Sequence, residues 1–460
     1  MTDRIETERP HPRTSALFTD FYELTMLRAY FERGMTDEAV FSLFVRTLPS
    51  RRHYLIACGL DDLLADIETL RFTGEDAASL SSLGKFPTPF LEWLQAFRFT
   101  GEIHAVPEGT PIFANEPILE VIAPITEAQL IETLVLNQIG FQTNLASKAA
   151  QVVHAARGRP VVDFGGRRAH GIDAAVKGAR AFYVAGISAT SNVLAGTTYG
   201  IPVAGTVAHS FIEAFPSELE AFRAFADIYP ETILLVDTYD TLEGVRKVAA
   251  LARALGPSFR VQGVRLDSGN LLQLSKEARS ILDAAGLSHV KIFASGGLDE
   301  SAIDLLIAGG APIDAFGVGT ELSVAADAPA LDIAYKLTEY AGVGRMKLST
   351  GKRTLPGRKQ VFREYEDGTA VRDTIARWDE ALPGTALLSP VMTKGRRVGN
   401  RTASLAGVRT YAARAEGQLP PRLRSLDPAE PYAVAVSRGL ADYEREVRAR
   451  IADSMARDFA

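Results

Sequence analysis

Between residues 158 and 340, short runs of small and branched apolar residues alternate with longer segments whose apolar residues recur at helical spacing. The runs fall at 160–164, 201–207, 232–237, 260–266, 290–294, 314–318 and 332–337. Helical segments at 173–185, 191–199, 218–226, 242–255, 271–285 and 300–308 separate most of them. Strands joined through helices run parallel, because each crossover carries the chain back to the edge it started from. Seven such strands, each ending in polar or glycine residues, predict an irregular seven-stranded α/β barrel. An open doubly wound sheet is the alternative.

In a barrel of this kind the chemistry gathers at the C-terminal strand ends. The first run ends in Asp163-Phe164-Gly165-Gly166-Arg167-Arg168. Paired glycines let a ligand approach the backbone, and paired arginines offer planar donors to phosphate or carboxylate. For either arginine alone, a surface salt bridge is the plainer reading. The second run carries Thr206 and is followed by His209. A histidine there, taken alone, is better explained by packing or capping than by catalysis. The fourth ends in Arg265-Leu266-Asp267-Ser268-Gly269-Asn270. Strand alternation points Arg265 and Asp267 to one side, either to pair with each other or to hold an anionic ring substituent and a sugar hydroxyl or metal. The next two runs end in Ser295-Gly296-Gly297-Leu298-Asp299 and Phe316-Gly317-Val318-Gly319-Thr320. Glycine turns before helix N-termini at adjacent late strands are the layout of a phosphate monoester site. The chain has no Walker motif and no Gly-x-Gly-x-x-Gly opening the barrel, which argues against a P-loop machine and an ordinary dinucleotide-binding dehydrogenase.

At 460 residues the chain exceeds one ordinary core. The expected divisions are a loose arm over 1–15, an N-terminal α+β domain over 16–125, the barrel over 126–338 and a C-terminal segment over 339–460. Within the flanks, Thr19 or Asp20 caps a first helix with Tyr22 on its packed face, and helices follow at 60–70 and 87–94. A β-rich module spans 98–122, where alternation puts His104 toward solvent, and a single long helix spans 127–156. Beyond 340 come short strands at 345–349 and 359–363, a loop-dominated region at 384–432 and a helix at 440–455. A formal net charge of −6 argues against a nucleic-acid partner, and no apolar run is long enough for a membrane span. The one cysteine, Cys58, allows no internal disulfide and suits the reducing cytoplasm.

These motifs resemble the nicotinate phosphoribosyltransferase family, in its order, from about Ser15 to Arg363. The pieces are Thr19-Asp20-Phe21-Tyr22-Glu23-Leu24-Thr25-Met26, Phe164-Gly165-Gly166-Arg167-Arg168-Ala169, Ser191-Asn192-Val193-Leu194-Ala195, Gly205-Thr206-Val207-Ala208-His209-Ser210, Gly263-Val264-Arg265-Leu266-Asp267-Ser268-Gly269 and Phe316-Gly317-Val318-Gly319-Thr320. The resemblance implies that nicotinate and 5-phosphoribosyl 1-diphosphate yield nicotinate mononucleotide and pyrophosphate, in NAD salvage. It implies coupling to ATP hydrolysis through a phosphorylated His209, with Mg²⁺ accompanying the diphosphate. It implies a smaller α+β sandwich built from the N- and C-terminal parts, and a homodimer with the site at its interface.

Position by position, the resemblance makes Thr206 and Arg265 nicotinate contacts and Phe164 the ring that stacks on the pyridine. Tyr22 becomes its partner from the second subunit. Arg167 and Arg168 neutralise phosphate, and Asp267 holds ribose hydroxyls or orders the metal. Gly296, Gly297, Gly317, Gly319 and Thr320 cradle the 5′-phosphate. The relative that uses nicotinamide carries an acid where Ser188 stands, so Ser188 favours nicotinate. Asn270 replaces the family's usual aspartate, as in that same relative. The competing readings are a nicotinamide phosphoribosyltransferase and a catalytically silent metabolite-binding relative.

Overall fold

Six of the apolar runs lie in a unit spanning Leu145–Pro329, one of two compact units in the chain. The structure is a computed structural model describing residues 15–349, 354–398 and 404–457. The expected N-terminal arm, apart from Ser15, lies outside the described residues.

The strands of this unit are β1 (Val161–Asp163), β2 (Ala189–Thr190), β3 (Ile233–Leu235), β4 (Gly263–Leu266), β5 (Lys291–Ala294) and β6 (Ala315–Val318). They pair in the order β2-β1-β6-β5-β4-β3, every neighbour parallel. Val161, Leu234, Leu235, Val264, Leu266, Ile292, Phe316 and Val318 are all buried, as expected of a parallel sheet covered on both faces. The helices Ile172–Val184, Thr241–Leu255, Leu271–Ala284 and Glu300–Ala308 make crossovers. Three of them start on a side chain that takes an otherwise unpaired N–H: Asp240 from Glu243, Asn270 from Gln273 and Asp299 from Ala302. Each cap stabilises its helix by about 1 kcal/mol and fixes where the preceding turn ends.

The runs expected to supply the seven strands are not all strands of this sheet. The run at 201–207 contributes only one parallel bridge, Thr190 to Val203. Pro202 lacks a ladder donor and Gly205 has no side chain to pack, so the run does not extend as a strand. Strand β2, two residues long, carried no sequence signal of its own. The run at 332–337 belongs to the other unit, as part of the strand Ile333–Tyr340, antiparallel to Glu38–Val45. Only Ala334, Tyr335 and Thr338 in it are buried, unlike the nearly continuous burial of the parallel strands. Among the described residues no strand pairing closes the sheet, so the fold is mixed α/β with a parallel half-barrel.

The second unit combines Met1–Asn144 with Ala330–Ala460. Its seven-stranded sheet centres on Pro117–Pro124, flanked by Glu38–Val45 and Glu102–Ala105, with Ile333–Tyr340 on the far side of Glu38–Val45. A four-stranded sheet joins Lys359–Glu366, Thr369–Arg377, Thr385–Ala386 and Ala433–Val436. Leu27, Leu43, Leu63, Phe90, Leu94 and Tyr335 are among the residues of its core. The region 384–432 holds a helix, Leu405–Gly417, started by Ser404, rather than loops alone. Residues 345–349 form no strand. The expected long helix is two, Ile125–Leu130 and Glu132–Ala155, parted at Ile131. His104 is buried, not solvent-facing. Its strand is paired on both sides, Nε2 meets Arg358 at 2.8 Å and the ring stands edge-on to Trp378.

Candidate active site

The C-terminal ends of the parallel strands open into a cavity of about 1030 Å³. Phe164, Arg167, Arg168, Thr206, His209, Arg265, Asp267, Gly296, Gly297, Gly317, Gly319 and Thr320 all line it. Ser188 does not. Its N–H donates to the Val161 carbonyl at the opposite, N-terminal end of β1, so the structure does not bring it to the cavity. Tyr22 belongs to the other unit, where its side chain is 48% exposed at the start of helix Phe21–Glu32.

Arg265 sits one residue before the end of β4, with a side chain 12% exposed. Nη1 donates to Thr206 Oγ1 at 2.5 Å, and Cζ lies 5.7 Å from the centre of the Phe164 ring. Nη2 lies 3.7 Å from Asp267 Oδ1, too far for a direct hydrogen bond. Burial pushes the guanidinium below its ordinary pKa, while Asp267 and Asp237 pull it back up. The result is a largely desolvated planar cation beside an aromatic face, the partner set for a flat ring bearing a carboxylate.

The Phe164 ring rests on Phe293, with centroids 5.8 Å apart. Gly317 makes room for both. A Cβ there would stand 2.6 Å from the Phe164 ring and 2.9 Å from Phe293. Gly296 is fixed differently. Its φ is +91°, and a Cβ would come within 1.8 Å of the Asp267 carbonyl oxygen, so this turn lies directly on the Asp267 turn.

His209 opens the short helix His209–Glu213. Its Nδ1 lies 3.1 Å from Thr238 Oγ1 and its Nε2 3.7 Å from Asp267 Oδ2. Asp267 also accepts a bond from the Ser295 hydroxyl. Asp237 accepts from the Asp267 N–H at 2.9 Å and the Ser268 hydroxyl at 2.7 Å, holding the β4 turn from below. Asp163 does the same for β1, taking Gly165 N–H and the Thr190 hydroxyl at 2.7 Å each. Its burial raises its pKa, and those two donors oppose the rise.

A family model described as the nicotinate phosphoribosyltransferase (NAPRTase) N-terminal domain matches residues 17–140. A second, the nicotinate phosphoribosyltransferase (NAPRTase) family, matches residues 160–371. Nicotinate phosphoribosyltransferase pncB2 of Mycobacterium tuberculosis is 57% identical over 92% of this chain and 91% of its own. The chain belongs to the nicotinate phosphoribosyltransferase family. The Bacillus subtilis nicotinate phosphoribosyltransferase is 42% identical over 80% of this chain and 77% of its own. The crystal structure of human nicotinic acid phosphoribosyltransferase covers 93% of this chain and 99% of its own, at 29% identity and a TM-score of 0.84. The chain is therefore an enzyme, a nicotinate phosphoribosyltransferase of NAD salvage. No helix among the described residues is long and apolar enough to cross a membrane.

Sequence reasoning gave no role to several residues that line or brace this cavity. Asp237, Thr238 and Ser295 brace His209 and Asp267. Ser191 and Asn192 line the cavity, and Asn192 caps the helix Val193–Tyr199. One signal was available: Asp163, Asp237 and Asp267 each stand at the end of an apolar run. Asn270 has a local task as the cap of helix Leu271–Ala284, which an aspartate would perform equally well.

Proposed function

We propose that the transfer to nicotinate is coupled to ATP hydrolysis through phosphorylation of His209, with Mg²⁺ as cofactor and the working enzyme a cytoplasmic homodimer. In the phosphoribosyl step the pyridine nitrogen lone pair forms the bond to the sugar C1 as the bond from C1 to the diphosphate oxygen breaks. Pyrophosphate leaves with that electron pair. Nicotinate nitrogen is already a free nucleophile, so the protein's task is to position it and to stabilise the departing charge. Arg265, oriented by Thr206, pairs with the ring carboxylate. Phe164 covers one face of the pyridine, and Tyr22 from a second copy of the chain covers the other. Arg167 and Arg168, both exposed at the cavity, meet phosphate charge. The turns at Gly296, Gly297, Gly319 and Thr320 take the 5′-phosphate, with Gly317 setting the height of the ring platform. The Val203 segment stands as the seventh stave of an irregular barrel.

In the coupling step an imidazole nitrogen of His209 attacks the γ-phosphorus of ATP as the bond from that phosphorus to the β–γ bridging oxygen breaks and ADP leaves with the electron pair; water later cleaves the N–P bond, releasing phosphate and restoring the imidazole. The phosphorylated ring adds negative charge beside Asp267 and so changes the affinity of the same cavity for diphosphate. Among the described residues no cluster of three or more His, Cys, Asp or Glu forms a protein-only metal cage. Asp267, with a side chain 31% exposed in the cavity, fits the other kind of site. There a carboxylate shares Mg²⁺ with substrate oxygens and water. Bound there, Mg²⁺ would neutralise charge on the diphosphate. Cys58, single and buried, suits a reducing cytoplasm.

The observation that carries this reading is the convergence on one cavity of the buried Arg265 beneath Phe164, His209 beside Asp267 and the paired glycine turns. Its test is product formation with nicotinate or nicotinamide, with and without ATP, in wild type and His209→Ala. Nicotinate turnover stimulated by ATP, with the stimulation lost in the variant, supports the scheme. Stimulation that survives the substitution removes His209 from its role, and turnover of nicotinamide instead overturns the choice of base.

A further inference from the structure

Lys148 is one of the largest fully buried side chains in the protein. Its Nζ lies 2.5 Å from Glu300 Oε2 and 3.3 Å from Asp327 Oδ1, and both carboxylates are as deeply buried as the ammonium. Glu300 is the first residue of helix Glu300–Ala308, three residues beyond Gly297. Asp327 lies just beyond the helix Thr320–Ser323. The lysine therefore joins the segments that emerge from the C-terminal ends of β5 and β6, neighbouring strands whose glycine turns line the cavity. None of the three side chains lines the cavity itself.

One cation between two carboxylates leaves the cluster with a formal charge of −1. None of the three side chains reaches the cavity, so an effect on a phosphate bound there comes through geometry. Two further features show that geometry under load. Ala325, between Ser323 and Asp327, has φ +44°. A non-glycine residue stays in that region only where its surroundings hold it. Gly296 lies so close to the Asp267 carbonyl that a Cβ there would clash with it, so the β5 turn is packed directly on the β4 turn.

We propose that Lys148 is a positioning residue for the phosphate of 5-phosphoribosyl 1-diphosphate. It locks the two glycine turns at the spacing the phosphate requires and touches no substrate. The proposal rests on the reading that these turns hold that phosphate.

The test is steady-state kinetics with each substrate varied separately. For folded Lys148→Met, KM for 5-phosphoribosyl 1-diphosphate is expected to rise about tenfold, while kcat and KM for nicotinate stay within about twofold. Glu300→Gln in the same background is expected to add less than it does in wild type, because the two share one network. An unchanged KM for the diphosphate substrate overturns the proposal. So does a parallel loss of kcat and both KM values, which marks a merely structural lysine. If Lys148→Met does not fold, Asp327→Asn and Lys148→Arg carry the test. The first is expected to raise that KM several-fold and the second to preserve it, and no change in the first overturns the proposal. Thr320→Glu, at an exposed helix start, tests the underlying reading by placing negative charge in the turn. If it leaves that KM unchanged, the phosphate reading falls and this proposal with it. If it raises that KM while the lysine and Asp327 variants do not, only the role of Lys148 falls.

Discussion

Nδ1 of His209 stands 3.1 Å from the hydroxyl oxygen of Thr238, a residue from a different strand end. This contact fixes the rotation of the imidazole and hence which nitrogen faces the cavity. Thr238→Val keeps the shape and removes the hydroxyl. A hydrogen bond of this kind contributes about 1 kcal/mol, so ATP stimulation is expected to fall about fivefold. KM for nicotinate is expected to stay put. Rates measured with and without ATP check it, and equal stimulation in the variant counts against the contact.

In the proposed scheme Arg265 supplies the charge that a carboxylated ring needs and an amide does not. Arg265→Gln retains donors but loses the cation. Hydrogen bonds to a charged group are worth about 2 kcal/mol, so the preference for nicotinate over nicotinamide is expected to shrink about 30-fold. Competition between the two bases, read as the ratio of kcat/KM, decides it. An unchanged ratio removes Arg265 from base selection.

Gly317→Ala would set a methyl group 2.6 Å from the Phe164 ring. Backbone holds one side of this contact, so the ring must move. Overpacking of this sort costs about 1–3 kcal/mol, and the tilted ring is expected to raise KM for nicotinate more than KM for 5-phosphoribosyl 1-diphosphate. Thermal melts and the two KM values are the measurements.

Glu23, next to Tyr22, is buried, with its carboxylate accepting from Thr19 and Thr133. Burial pushes its pKa up to about 7, against those hydrogen bonds, with Glu132 and Asp20 adding repulsion. The folded chain thus holds a proton that the unfolded chain releases near pH 4.5. Between roughly pH 4.5 and 7 the native state binds more protons, so stability falls as pH rises through that window. The expected loss at this site is about 1–2 kcal/mol after allowance for partial solvent screening. Glu23→Gln is expected to flatten the slope. Denaturation at pH 5, 6, 7 and 8 checks it, and identical slopes in variant and wild type would remove Glu23 as the cause.

Much of the catalytic unit was legible because local signals agreed. Asp299 before an apolar helical period marks Glu300–Ala308 residue for residue. The glycine turns and the Arg265–Asp267 pair stand out for the same reason: few residue types fit those positions. What escaped were matters of partnership. The run at 332–337 has strand composition, but nothing in it names the neighbour, and it paired antiparallel in the other unit. Residues 201–207 look like a strand until Pro202 and Gly205 are weighed against the ladder they must join. Ser188 stands three positions before the cavity residue Ser191 but precedes the strand Ala189–Thr190 at the end away from the cavity. Asp237 and Thr238 act on residues about 30 positions away, a relation that appears only when β3 and β4 lie side by side.

The aspartates that end β1, β3 and β4 have a bearing on the electrostatics of the whole enzyme. Asp163 and Asp237 direct oxygens back into backbone N–H groups and neighbouring hydroxyls, whereas Asp267 gives one oxygen to the Ser295 hydroxyl and lines the cavity. Arg167, Arg168 and Arg265 face the cavity instead. Carboxylates engaged inward exert less repulsion on an incoming polyanion than their number suggests. A protein with an overall negative charge can thereby present a locally positive potential where a phosphorylated sugar approaches, and the same hydrogen bonds that shape the turns sort the two signs of charge.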